Sequence, residues 1–110
     1  MCTLEMVESL ARAAAKADRR IAVHLKVDTG MGRIGIQPEA VTAFPDRCCA
    51  FPTVFVKGLM SHFPCTHASD KAFSHQQIEI SCQVQGTSRG YGITVYHCAN
   101  SAVIFDLPEA

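Results

Sequence analysis

Three strand-like segments, each separated from the next by a helical segment, constrain this chain more than any other feature of its sequence. The strand-like segments, which are rich in β-branched and other apolar residues, are residues 21–27, 54–60 and 93–98. The first of them alternates strictly between apolar and polar side chains, which is typical of a β-strand. No two-residue hairpin turn connects any of these segments. The order therefore predicts an α/β fold with a parallel sheet built from β–α units.

Some of the helical segments have apolar residues three and four positions apart, as in amphipathic helices. Others begin with residues that favour the start of a helix. They are predicted over residues 3–17, 37–43 and 70–85, with a further helix beginning at Ser101. Thr3 is placed to cap the first helix, and Pro38 suits the first turn of the second. Residues 45–52 are predicted to be irregular and residues 86–92 to form a turn. The helix over residues 70–85 is expected to bury one face, formed by Phe73, Gln77, Ile80 and Val84.

Charge and apolar content limit the classes of function. The chain has ten basic and ten acidic side chains and a net charge of zero, whereas nucleic-acid-binding domains usually have a basic surplus. No apolar run approaches the ~18 residues of a membrane span. The N-terminus lacks the basic and apolar regions of a secretory signal. The sequence therefore predicts a folded cytoplasmic protein that binds neither nucleic acid nor a membrane.

Six cysteines in 110 residues raise the question of a disulfide scaffold. Cys48 and Cys49 are adjacent, a spacing that disulfide frameworks seldom use, and the other cysteines form no Cys-x-x-Cys motif. The hydrophobic content of 48% is enough to build a core without covalent links. We therefore expect reduced thiols that pack as small apolar side chains.

Polar residues follow each of the three predicted strands. In parallel α/β folds, ligands bind beyond the carboxyl ends of the strands. The residues at these ends are Lys26, Asp28 and Arg33 after the first strand, Ser61 and His62 after the second, and His97, Asn100 and Ser101 after the third. Because parallel strands end at the same edge of the sheet, these residues predict one shared site.

Several of these residues also have a purely structural explanation. The glycine-rich loop over residues 30–35 lacks the full dinucleotide-binding fingerprint, and a tight turn between a strand and a helix would have the same composition. Lys26 lies on the polar side of an interior strand, where a lysine must be neutral, paired or modified. An ion pair with Asp28 or another carboxylate is the simplest alternative to a functional role for Lys26.

The other two strand ends leave similar alternatives open. His62 is either a hydrogen-bonded structural histidine or part of the site. With Cys65 and His67 it imitates a metal centre, but the spacing fits no standard zinc pattern, so no metal site is predicted. Asn100 and Ser101, at the start of a predicted helix, suit a phosphate group, and they equally suit an ordinary helix cap.

Three motifs, in this order, resemble the alanine racemases. Residues 24–35 (HLKVDTGMGRIG) resemble a signature segment of that family, residues 58–63 (GLMSHF) its next strand, and residues 97–102 (HCANSA) a third landmark. The resemblance covers essentially the whole chain. It implies a pyridoxal 5'-phosphate-dependent isomerase that interconverts L-alanine and D-alanine for cell-wall peptidoglycan. It also implies a (β/α)8 barrel followed by a β-rich domain, in an enzyme that is usually a homodimer.

The resemblance implies a role for each matching residue. Arg33 matches the arginine that donates to the phenolic oxygen of the cofactor and helps to place the substrate carboxylate. Lys26 matches a lysine that is often carbamylated, and the resulting anionic group positions that arginine. His62 matches a histidine packed near the pyridine ring. Asn100 and Ser101 match the residues at the cofactor phosphate.

The two acid–base groups that racemisation needs lie outside the matched motifs. In the family they are a cofactor-linked lysine in an early Lys-Ala-Asn-type motif and a tyrosine of the second domain, and neither motif is present in this sequence. A complete barrel has ~250 residues. We therefore expect residues 1–110 to be a fragment of the N-terminal barrel domain, with about three to four β–α units, inactive by itself. The alternatives are a broad-specificity amino-acid racemase of the same fold and a non-catalytic binding module that uses part of the barrel.

Overall fold

Helices and strands alternate along the chain. The computed structural model describes residues 1–63, 72–98, 100 and 103. The helices in this part of the chain are α1 (Leu4–Lys16), α2 (Ala43–Cys48) and α3 (Ala72–Ser88), with short 3₁₀ turns at Pro38–Ala40 and Arg89–Tyr91. The strands are β1 (Ile21–Lys26), β2 (Val54–Met60) and β3 (Val95–His97).

The strands form one parallel sheet in the order β1-β2-β3. Its register pairs Lys26 of β1 with Met60 of β2, and Met60 with His97 of β3. The register shifts between Val23 and His24, which leaves Lys57 of β2 without a paired residue in β1. Because each strand is connected to the next through a helix rather than a hairpin, the prediction of a parallel β–α sheet is confirmed.

One face of the sheet is covered by helices. Alternate strand residues, including Leu25 and Leu59, pack in a single core with Val7 of α1 and Phe44 of α2. Helix α1 begins as the sequence predicts, since the Thr3 hydroxyl accepts a hydrogen bond from the Met6 backbone N–H at 3.3 Å. Burial of apolar side chains on this face supplies the main stabilisation of the fold.

The opposite face of the sheet is open in the described part of the chain. Ala22, Phe55 and Val95, which point to that side, are exposed. The guanidinium of Arg20 lies 5.1 Å from the centre of the Phe55 ring. Since helices surround the outside of a β/α barrel, the open face corresponds to the side that faces a barrel interior.

The connection between β1 and β2 differs from the prediction. A helix was expected over residues 37–43 and irregular chain over residues 45–52, but the structure has a 3₁₀ turn at Pro38–Ala40 and helix α2 at Ala43–Cys48. Pro45 lies in the first turn of α2, where the backbone N–H that proline lacks has no helical partner in any case. Proline therefore does not exclude a helix at this position.

Helix α3 is also different from the expected helix over residues 70–85. It continues to Ser88, through the residues expected to form a turn. Gln77 and Val84 are buried as predicted, but Phe73 is 42% exposed and Ser74 takes its place on the buried side. A buried face with polar members is invisible to hydrophobic periodicity. The third strand is shorter than predicted, and the helix expected from Ser101 lies outside the described residues.

The cysteines of the described part are free thiols, namely Cys2, Cys48, Cys49, Cys82 and Cys98. Burial raises the pKa of the Cys48 thiol, which packs in the core. Within the described ranges, no helix has the length and apolar content needed to cross a bilayer.

Candidate functional site

The carboxyl ends of the three strands lie side by side, as the sequence predicts. Lys26, Met60 and His97 occupy one row of the sheet. The chain just beyond this row is also connected across strands, because the Ser61 backbone N–H donates to the His97 carbonyl at 3.0 Å. The residues that follow β1, β2 and β3 therefore start from one common edge.

Thr29 is the point at which three elements meet beyond this edge. Its hydroxyl lies 2.6 Å from the Ser61 hydroxyl, and its carbonyl accepts a hydrogen bond from Gln77 Nε2 of α3 at 3.3 Å. All three residues are at least nine-tenths buried, so water does not compete for these bonds. The loop after β1 is thus attached to both β2 and α3.

Local sequence patterns do not identify Thr29 or Gln77 as site residues. A threonine directly after a strand has no distinctive signal. A glutamine on the predicted buried face of a helix is a usable signal, because a buried amide needs a polar partner.

The loop from Asp28 to Gly35 is closed at its base. The Asp28 backbone N–H donates to the Ile36 carbonyl at 2.8 Å, and the Ile36 N–H donates to the Lys26 carbonyl at 2.9 Å. Inside the loop, one Asp28 carboxylate oxygen accepts from the N–H groups of Gly30 and Gly32 at 3.0 and 3.1 Å. The loop is therefore a defined structure and not a loose connection.

Gly35 shows why this loop needs glycine. Its φ is +143°, and a Cβ atom there would lie 2.6 Å from the Asp28 backbone nitrogen. Both the conformation and the contact exclude other residues without a shift of the backbone. Gly30 is similarly restricted, since a Cβ atom would lie 2.9 Å from Gln77 Nε2.

Arg33 is exposed and lies within this closed loop. The loop carries it to the same end of the sheet as Lys26, and its positive charge contributes to lowering the Lys26 pKa. The arrangement places a permanent cation on a loop whose base is fixed by backbone hydrogen bonds.

Lys26 is buried, with only 8% of its surface exposed, and its ammonium group donates to the Val27 carbonyl at 3.3 Å. Burial lowers the pKa of this lysine, Arg33 lowers it further, and Asp28 opposes both effects. The described part of the chain contains one salt bridge, between Arg12 and Glu8. The ion pair between Lys26 and Asp28, which the sequence left open as an alternative, is therefore not formed.

The Asp28 carboxylate instead stabilises the loop. Burial would raise the pKa of its carboxyl, but the N–H groups of Gly30, Gly32 and Met31 outweigh that effect, with help from Lys26, and the pKa is lowered. An ionised carboxylate that organises three successive N–H groups keeps the loop in one conformation.

His62 and Asn100 are connected through Phe63. His62 is half-buried directly after β2. Asn100 Nδ2 donates to the carbonyl of Phe63 at 3.0 Å, and Asn100 Oδ1 accepts from the Val103 backbone N–H at 3.1 Å. An oxygen that accepts from the N–H three residues later is the pattern of a helix cap.

Ser101, the remaining predicted site residue, lies outside the described residues. Cys65 and His67, for which no metal site is predicted, lie outside them as well. The structure therefore brings Lys26 and Asp28 together with the Arg33 loop, and it connects Asn100 to the residue after His62.

An open groove of about 470 Å³ lies between the strand ends and α3. Its lining includes Thr29, Ser61, Ile78, Tyr96 and Cys98. Tyr96 packs with the core on the helix-covered side of the sheet, so the groove opens beneath α3. Its lining also includes Met60 and His97, which lie in the row at the strand ends.

A family model, curated relatives and solved structures all match this chain to the same family. A family model described as "Alanine racemase, N-terminal domain" matches residues 1–110. The alanine racemase of Desulfovibrio desulfuricans is 35% identical over 107 residues, which cover 96% of this chain and 29% of that protein. The chain thus spans less than a third of the length of this curated relative.

Solved structures give the same picture for the fold. The crystal structure of alanine racemase from a D-cycloserine-producing Streptomyces lavendulae has a TM-score of 0.88 and 28% identity, covering 99% of this chain and 30% of that one. An alanine racemase of Clostridium difficile 630 in complex with cycloserine has a TM-score of 0.87 and 26% identity, covering 99% of this chain and 31% of that one. The prediction of a partial β/α barrel is confirmed by these matches.

Proposed function

This chain belongs to the alanine racemase N-terminal domain family, and from that membership we propose that residues 1–110 form the part of a racemase barrel that supports pyridoxal 5'-phosphate. The complete enzyme would interconvert L-alanine and D-alanine for peptidoglycan synthesis. It would act in the cytoplasm as a homodimer. The small molecule held by the Clostridium difficile relative, cycloserine, is consistent with an amino-acid-sized substrate.

The donor groups of this chain suit the chemistry of the cofactor. Arg33 provides a permanent cation for the phenolic oxygen and the substrate carboxylate. His62 provides a flat imidazole for the pyridine ring. Asn100 is hydrogen-bonded in the manner of a helix cap, and a helix start directs backbone N–H groups at a phosphate. We propose that Ser101 adds a hydroxyl to this phosphate site.

When bound, the cofactor supplies an electron sink for the pair of electrons left as the substrate Cα proton departs. The residues of this chain would bind the cofactor and orient the substrate. The hydrogen bonds of Thr29 and Asp28 keep the Arg33 loop in place. A fixed guanidinium reduces the freedom that the substrate must lose in order to react.

The observation that carries the proposal is the burial of Lys26 beside this loop. Its lowered pKa increases the fraction of neutral amine, which is the form that attacks carbon dioxide. The nitrogen forms a bond to the carbon of CO₂ and releases one proton, leaving an anionic carbamate. An anion at this position would attract Arg33 and hold its side chain, whereas an ammonium group would repel it.

The complete length of the relatives matters for activity. Because the chain covers 29% of the Desulfovibrio desulfuricans enzyme and has no Lys-Ala-Asn-type motif, we expect the isolated chain to be inactive. It should form no single-site adduct with pyridoxal 5'-phosphate that borohydride traps. Stoichiometric labelling of Lys26 would contradict this expectation.

A segment exchange tests the proposed function directly. Residues 1–110 would replace the matching segment of the Streptomyces lavendulae enzyme, and alanine racemisation and cofactor absorbance would be measured. We expect an active chimera that loses activity with Arg33→Gln and keeps it with the matched control Arg89→Gln. A chimera that folds and binds the cofactor but does not racemise alanine would reject the proposal. Activity on other amino acids would favour the broad-specificity alternative.

A further inference from the structure

A fully buried amide on α3 contacts the loop that carries Arg33. Gln77 Nε2 donates to the Thr29 carbonyl at 3.3 Å, and no part of Gln77 is exposed. A Cβ atom built on Gly30 would lie 2.9 Å from the same Nε2. The Gln77 amide therefore lies directly against two consecutive residues of the loop, at a place that solvent does not reach.

Gly30 connects this contact to Arg33. The Gly30 backbone N–H donates to the Asp28 carboxylate at 3.0 Å, and the Gly32 N–H donates to the same oxygen at 3.1 Å. Gly32 directly precedes Arg33 in the chain. A shift of Gly30 would therefore disturb the hydrogen bonds that hold the residue next to Arg33.

Stability alone does not explain an amide at position 77. Within the described ranges, Gln77 Oε1 is a buried atom without a hydrogen-bond partner. A buried polar atom that lacks a partner is unfavourable, whereas methionine would fill a gap of similar length with no such atom. The amide thus keeps one donor, Nε2, for the Thr29 carbonyl while its oxygen stays unsatisfied.

We propose that Gln77 is a positioning residue for Arg33, acting through Thr29 and Gly30. The inference rests on the proposed function, in which Arg33 binds the phenolic oxygen of the cofactor and the substrate carboxylate. Gln77 is buried beneath the loop and acts on the substrate only through Arg33. The buried hydrogen bond limits the movement of the loop, and a guanidinium on a fixed loop leaves less freedom to be lost during the reaction.

Hydrogen exchange tests whether Gln77 holds the loop, with no use of activity. The protein is the cofactor-free chimera with the Streptomyces lavendulae enzyme, and mass spectrometry follows a peptide that spans residues 28–36. Gln77→Met removes the donor and keeps the side-chain length. We expect this peptide to exchange about tenfold faster in Gln77→Met than in the parent chimera, because local opening of the loop becomes easier. Exchange in α1 should not change.

Ser88→Ala is the matched control for a general weakening of α3. Ser88 is also fully buried, and its hydroxyl lies 3.1 Å from the Tyr96 hydroxyl at the other end of the helix. We expect loop exchange in Ser88→Ala to equal that of the parent chimera. Unchanged loop exchange in Gln77→Met, or equally fast exchange in both variants, would overturn the proposal.

Gln77→Glu provides a rescue that depends on pH. A protonated carboxyl group can donate to the Thr29 carbonyl, whereas a carboxylate cannot, and burial raises the pKa of a carboxyl group. Relative to the parent chimera at the same pH, loop exchange in Gln77→Glu should be normal in acid and faster as the pH rises. A ratio that does not change with pH would contradict the role of the donor.

A double-mutant cycle with Arg33 tests whether the effect passes through the arginine. Gln77→Met should lower kcat/KM for alanine by about tenfold in the parent chimera, but by no more than about twofold in an Arg33→Lys background, where the guanidinium is already lost. Equal losses in both backgrounds would show that Gln77 acts independently of Arg33. A parent chimera that does not racemise alanine would reject the proposed function, whereas the exchange experiment would still decide whether Gln77 holds the loop.

Discussion

The hydroxyl groups of Thr29 and Ser61 lie 2.6 Å apart where β1 and β2 end. Thr29 begins the loop that carries Arg33, and Gln77 of α3 donates to its carbonyl. The loop that carries the exposed Arg33 is therefore attached by buried hydrogen bonds to residues that are distant in sequence. This relationship makes the loop sensitive to changes that do not touch Arg33.

Removal of either hydroxyl should destabilise the chain. We expect Thr29→Val and Ser61→Ala each to lower the free energy of unfolding by about 1–2 kcal/mol, because the remaining buried hydroxyl loses its partner. The double variant should lose less than the sum of the two. Urea denaturation measures all three, and Thr94→Val, at an exposed site, is the control. Strictly additive losses would show that the two hydroxyls do not interact.

Alanine substitutions at two glycines should change the free energy of unfolding in opposite directions. Gly35→Ala is expected to lower the free energy of unfolding by about 2–3 kcal/mol, since φ is +143° and the new Cβ meets the Asp28 backbone. Gly86→Ala, within α3 and with no atom within 4 Å of a Cβ, should raise it by about 0.5–1 kcal/mol. Thermal or urea unfolding compares the two. A tolerated alanine at position 35 would contradict the closed-loop geometry.

Lys26 should make stability depend on alkaline pH. Burial lowers its folded-state pKa, so between that value and the usual lysine pKa the unfolded chain holds more protons and stability rises with pH. At neutral pH, Lys26→Met is expected to stabilise the chain by about 1 kcal/mol, since it removes a buried charge. That advantage should shrink as the pH rises through this window. Lys57→Met, at an exposed position of β2, is the control. A stability gain in Lys26→Met that stays constant with pH would show that the buried charge of Lys26 is not its cause.

Asp28 should make the stability of the chain depend on pH in the acid range. Its folded-state pKa is lowered, so the stabilisation that it provides is complete above the unfolded pKa and is lost as the pH falls through the folded value. Asp28→Asn should therefore flatten the acid side of the stability profile. Glu39→Gln removes the same charge from an exposed position and corrects for net charge. An unchanged acid slope in Asp28→Asn would mean that the loop N–H groups do not depend on this carboxylate.

Local sequence patterns were sufficient for most of the elements. Strand β2 has the predicted bounds, and α1 starts at its predicted cap. Helix α2 and the end of α3 were missed because proline at a first turn and glycine near a helix end are tolerated when packing favours the helix. Phe73 was assigned to the wrong side because polar Ser74 is buried in its place.

The sequence alone determined that strands and helices alternate, that the strands run parallel, and that Lys26, Asp28 and Ser61 start from one edge. These follow from side-chain periodicity and the direction of the chain, which are local properties. Only the tertiary structure decided that Gln77 supports Thr29 across 48 residues and that His24 meets His97 across 73 residues. Such contacts depend on the packing of α3 and on the missing side chain of Gly58, where a Cβ atom would lie 2.8 Å from His24 Nε2. The physical reason is that hydrogen bonds between distant residues form only when the whole fold brings their atoms within about 3 Å.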